Sequence, residues 1–175
     1  MKFLDAMTIY FQGEKTEALV FILPLGLLSL VFGGWLLSEG TAGFARGLAI
    51  PFVVMGLVMS IVGGVVGFRT PAQVDTLQAA IAREPASALR DERARMEKVN
   101  HAWPIYLGIW AAFGVVGLAL RFATKGDFSQ GLGIGLVFFC GVCLLIDGFA
   151  ERRARPYTAA IDAALDGGSS WPSAP

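Results

Sequence analysis

Four long apolar runs, separated by charged stretches with a regular period, dominate the pattern of the chain. A helix needs about 20 apolar residues, at about 1.5 Å each, to cross roughly 30 Å of hydrocarbon. The segments 18–38, 47–68, 102–120 and 131–150 meet that demand; the first two carry no charge and the last only Asp147. Lipid offers no partner to an unpaired backbone group, so each run must be helical. The pattern predicts an all-α fold, a polytopic four-transmembrane-helix bundle in a single membrane domain.

Between the runs the period becomes that of amphipathic helices. Phe3, Leu4, Met7, Tyr10 and Phe11 share one stripe, which predicts an N-terminal helix over 1–16 lying in the membrane interface. After the second run Pro71 suits a helix start. Val74, Leu77 and Ile81 then give a narrow apolar face that ends at Glu84-Pro85. A further helix is expected from Ser87 as N-cap, with Leu89, Met96, Val99 and Trp103 on one side. Within it Asp91 and Arg95 stand i, i+4 with the acid first, the favourable order for an ion pair. Thus 69–101 reads as a helical loop and 151–175 as a tail. Ile161 and Leu165 continue the apolar spacing in that tail, and disorder is expected from Gly167 onward.

Shifting the chain by 84 positions lays the second run on the fourth without a gap. Phe44 meets Phe128, Gly47 meets Gly131, Leu48 meets Leu132, Val53 meets Val137, Gly64 meets Gly148 and Arg69 meets Arg153. With one residue of slip, Glu14-Lys15 meets Glu97-Lys98 ahead of the first and third runs. The expectation is a tandem repeat of two helical hairpins whose pseudo-twofold axis follows the membrane normal.

Basic residues orient the spans. Lys2, Lys15, Arg69, Arg83, Arg90, Arg93, Arg95, Lys98, Arg152, Arg153 and Arg155 fall in the three regions that share one side. Only Arg46, Arg121 and Lys125 fall on the other. Both termini and the 69–101 loop are therefore expected in the cytoplasm. Ten Arg against four Lys, in a background rich in Ala and Gly, point to a GC-rich bacterial genome and hence to a bacterial inner (plasma) membrane.

Composition agrees with lipid: 55% of residues are hydrophobic and 16% charged, with mean hydropathy +0.61, against about 25% charged in soluble domains. Zero net charge excludes a globally basic nucleic-acid binder.

Few residues carry candidate chemistry. Cys140-Gly-Val-Cys143 has the CxxC spacing of redox pairs. In that spacing and in helix count it resembles four-helix membrane thiol oxidoreductases of the vitamin K epoxide reductase and quinone-linked disulfide-forming types. Those families use a second cysteine pair in an outer loop, and this chain has no other cysteine. Asp147, the one acid within a span, is a candidate for proton or cation handling. His101 stands alone near the interface, and a metal would need further ligands. Arg153 closes the repeat's charged match. Arg90, Arg93 and Glu97 form a candidate partner surface of mixed charge. Gly63-x-x-x-Gly67 and Gly131-x-x-x-Gly135 permit close helix approach or a homodimer face, and Pro24 should disturb the first span.

No cofactor or metal is expected. The leading expectation is a non-enzymatic accessory, regulatory or immunity-type protein, bound to a protein partner through its cytoplasmic helices. A small oligomeric transporter or channel is the second reading, and an intramembrane thiol-disulfide oxidoreductase the third.

Overall fold

A computed structural model describes residues 3–39 and 42–167. The end of the expected C-terminal tail, 168–175, lies outside the described residues. Helices are α1 (Phe3–Thr16), a π-helical turn (Glu17–Ile22), α2 (Leu23–Glu39), α3 (Gly43–Arg83), α4 (Pro85–Ala123) and α5 (Asp127–Asp166). Among the described residues there is no strand.

These elements make four rods of 37, 41, 39 and 40 residues, each long and apolar enough to cross a membrane. At about 1.5 Å per residue a rod reaches about 60 Å, twice the hydrocarbon thickness. Each apolar run therefore continues as helix well past its own end. The charged continuations of α3, α4 and α5 gather with α1 at one end of the molecule, called here the polar end.

Two expected breaks do not occur. Pro71 lies inside α3 and Ser87 inside α4. Thr70, 2% exposed, sits just before Pro71 and bonds through Oγ1 to the Val66 carbonyl at 2.6 Å, so burial holds the helix through the proline. The chain breaks instead at Glu84, where φ is −139° and ψ is 82°, because a residue before proline is pushed out of the helical region. Pro85 then occupies the first turn of α4, where its missing N–H costs nothing.

Pro24 disturbs the first span as its chemistry demands. A proline there cannot donate to the i−4 carbonyl. The ladder widens just before it into the π turn, with the Leu23 N–H donating to the Ala18 carbonyl, five residues back.

Within the spans α2 packs on α3, α3 on α5, and α5 on α4, leaving α2 and α4 at the two ends of the row. Glycines set each seam. A Cβ on Gly47 would run into the Phe128 carbonyl oxygen, and one on Gly131 into the Phe44 carbonyl oxygen. In the outer seams a Cβ on Gly33 would meet Val53 Cγ2 at 2.8 Å and Phe52 Cβ at 3.1 Å. One on Gly117 would meet Val137 Cγ2 at 2.9 Å and Leu136 Cβ at 3.1 Å. Gly63 and Gly67 face the π turn and its neighbours, and Gly135 faces Pro51. Both small-residue motifs are thus filled by intramolecular packing and are not an open face for a second copy.

Candidate functional site

The polar end has a core of its own. α1 presents Phe3, Ala6, Met7, Tyr10 and Phe11 to a cluster completed by Ile81 of α3, Leu89 and Met96 of α4, and Tyr157 and Ile161 of α5. The stripe expected to lie on the membrane interface is therefore turned onto protein, and only Leu4 of that set is exposed, at 48%. The reason is continuity: α1 runs through the π-helical turn into α2 as one rod, so it stands beside α3 and α5.

Inside this core sits a charged group. Glu92, 6% exposed, receives two hydrogen bonds from Arg95, at 2.7 and 2.8 Å. It also receives one from the Tyr157 hydroxyl at 2.8 Å. The Arg95 guanidinium lies over the Tyr10 and Phe11 rings at 5.9 and 5.6 Å, a favourable place for a partly desolvated cation. Tyr157 stacks on Tyr10 with ring centroids 4.7 Å apart. Burial, and then the Glu92 charge, raise the Tyr157 hydroxyl above its ordinary value, so it stays a donor. Burial would lower the Arg95 guanidinium, but the bonds and charge of Glu92 outweigh it and raise it. The expected Asp91–Arg95 pair gives way to Glu92–Arg95, because the i+3 acid shares the buried face with Leu89 and Met96.

A second set of charges lies where spans and polar end meet. Arg153 pairs with Glu17, and Arg69 approaches Glu14 at 3.8 Å. Gly13 leaves room for the Arg153 side chain to lie across α1. One Glu14 carboxylate oxygen and Arg153 Nε are buried without hydrogen-bond partners.

Burial holds the Glu14 carboxyl above its ordinary range, against the lowering effect of Arg69. With a folded pKa above the unfolded one, the related stability is full below the unfolded value and is lost as pH rises through the folded one. Glu14→Gln should remove that decline. Thermal melts from about pH 4 to about pH 8 check it; a variant that loses stability with pH as the parent does would contradict it.

The other candidates are scattered. Asp147 accepts a 2.6 Å bond from Trp110 Nε1, which ties α5 to α4 inside the spans. Cys140 Sγ donates to the Trp110 carbonyl at 3.0 Å and packs on Gly114, and Cys143 is buried; both thiols are free. His101 is exposed, and among the described residues no group of three or more His, Cys, Asp or Glu could hold a metal. Of the expected partner surface, Arg90 and Glu97 are exposed. Arg93 is engaged by Asp162 of α5 and approaches Glu97 at 3.9 Å, so it helps to hold α4 on α5.

The sequence places Tyr10 on the α1 stripe, Arg95 beside Asp91 and Glu14 in the repeat, but marks neither these nor Glu92, Tyr157 and Glu17 as members of buried polar groups. One signal was available: Leu89, Glu92, Met96 and Val99 fall at i, i+3, i+7 and i+10, placing an acid on an apolar stripe. Nothing local marks Tyr157 as its partner, 65 residues away. Comparison of the chain with protein-family models, with curated proteins and with solved structures finds no match.

Proposed function

We propose that this chain is a non-enzymatic accessory, regulatory or immunity-type protein of a bacterial inner membrane. In this reading both termini and the α3–α4 connection lie in the cytoplasm, where the polar end binds a protein partner. The observation that carries the reading is the contrast between the two halves. Ser29 and Ser60 bond to carbonyls of their own helices at 2.6 and 2.7 Å, Asp147 is held by Trp110, and the spans pack in series through glycine seams. A solute path needs more polar lining than that. The polar end instead combines a rigid buried core with exposed Arg90 and Glu97.

The contacts also support descent from a doubled hairpin. Gly47 and Gly131 meet reciprocal carbonyls, and Gly33 with Val53 repeats as Gly117 with Val137, every pair 84 residues apart. The excess of arginine and lysine on the polar end supports its cytoplasmic placement.

Affinity capture from native membranes in mild detergent tests the reading. A stoichiometric protein partner should be retained by the parent and lost when Arg90 and Glu97 both carry reversed charge. The half-buried Asp147 carboxyl favours the second reading, an oligomeric transporter. Purified protein in liposomes should give no ion flux above empty vesicles; flux that Asp147→Asn abolishes would replace binding with transport.

A further inference from the structure

Two seams at the polar end are closed differently. Between α1 and α5, Tyr157 is fully buried, with Tyr10 stacked at 4.7 Å and Phe3 at 6.0 Å. The positions 84 residues before Tyr157 and Ala160 are Gln73 and Thr76 of α3. There, between α3 and α4, no ring is supplied, and a groove of about 530 Å³ opens. Leu77, Ala80 and Ala88 give it apolar walls, and Gln73 and Thr76 add an amide and a hydroxyl. That volume and mixture match sites for small molecules.

The charges of the groove do not cancel. Asp91, Glu92 and Arg95 all line it. Glu92 and Arg95 neutralise one another through their paired hydrogen bonds. Asp91 is exposed and, among the described residues, makes no ion pair. One uncompensated negative charge therefore stands beside an apolar slot whose counterpart is filled by aromatic rings.

We propose that the α3–α4 groove binds a small planar aromatic amine. The ring takes the place that aromatic side chains occupy between α1 and α5, and the ammonium faces Asp91. This site is independent of the protein partner proposed above, since it requires only the intact chain.

Saturation-transfer NMR on the full chain in detergent, with empty micelles as the blank, tests it with two probes of the same ring and opposite charge. Tryptamine should bind saturably, and indole-3-acetate should bind about fivefold more weakly. Asp91→Asn should bring the two together, weakening tryptamine and relieving the repulsion of indole-3-acetate. Thr76→Trp, at an exposed position, should fill the groove and abolish binding of both without changing the melting temperature; Ala72→Trp, at another exposed lining position, gives the same block should that variant misfold. Absence of saturable tryptamine binding, equal binding of the two probes by the parent, or binding that survives the filled groove would overturn the assignment.

Discussion

Gly47→Ala is expected to lower stability in detergent by about 3 kcal/mol, the upper end of ordinary overpacking. The new methyl would run into the Phe128 carbonyl oxygen and lie 2.9 Å from Leu132 N. Both are backbone atoms of α5, so no side-chain rotamer can relieve the clash and the two central helices must part. Gly131→Ala should do the same damage, through Phe44 and Leu48. The double variant should cost less than the two single losses added together, because a seam already opened by one methyl accepts the second. Gly64→Ala and Gly148→Ala supply the control. Neither position has any atom within 4 Å of a new Cβ, so both should be neutral or slightly stabilising from helix propensity. Thermal unfolding of the five variants beside the parent decides the matter, and a Gly47→Ala protein as stable as Gly64→Ala would refute the close central seam.

The second large effect is expected from Glu92→Gln. The amide keeps the shape of the side chain but removes the charge that accompanies Arg95 into the core. Breaking one partner of a buried ion pair costs about 3 to 5 kcal/mol. The side chain of Arg95 remains 30% exposed, so the lower figure is expected. Glu92→Leu combined with Arg95→Met and Tyr157→Phe should recover most of the loss, since apolar groups of similar volume remove both desolvated charges and the hydroxyl that Glu92 accepts from. Limited proteolysis gives a local reading: in Glu92→Gln the polar end should be cut sooner while the apolar spans stay protected. A single variant with the protease resistance of the parent would mean that Glu92 is not held as described.

Several of these features are legible in the sequence. In lipid a run of about 20 apolar residues can be satisfied only by helix, so the four apolar helical segments followed from the sequence, whereas their continuation into rods of 37 to 41 residues did not. The register that lays Gly47 on Gly131 also picked out residues that face one another across the central seam, although contact between them is not a property of either segment.

Local signals yield where they compete with packing. Pro71 and Ser87 both look like helix starts, yet Pro71 is carried through by buried Thr70, and the Glu84-Pro85 step moves the start of α4 ahead of Ser87. The apolar stripe of α1 marks a buried face but not what covers it, because an amphipathic period reports that something apolar lies opposite, not whether it is lipid or protein; here it is protein. Asp91 and Arg95 had the ideal spacing for a pair, but the direction in which Arg95 turns depends on Tyr10, Phe11 and Glu92, which reach it from distant parts of the chain.

Helical state, the number of rods and the collection of basic residues at one end were thus inherent in residue order, since each depends on neighbours within a few turns. The order of the row, the closed glycine seams, the buried Glu92–Arg95–Tyr157 group and the open α3–α4 groove came only with packing. Each depends on which side chains meet across tens of residues, where the volume of one ring or one missing methyl decides the outcome.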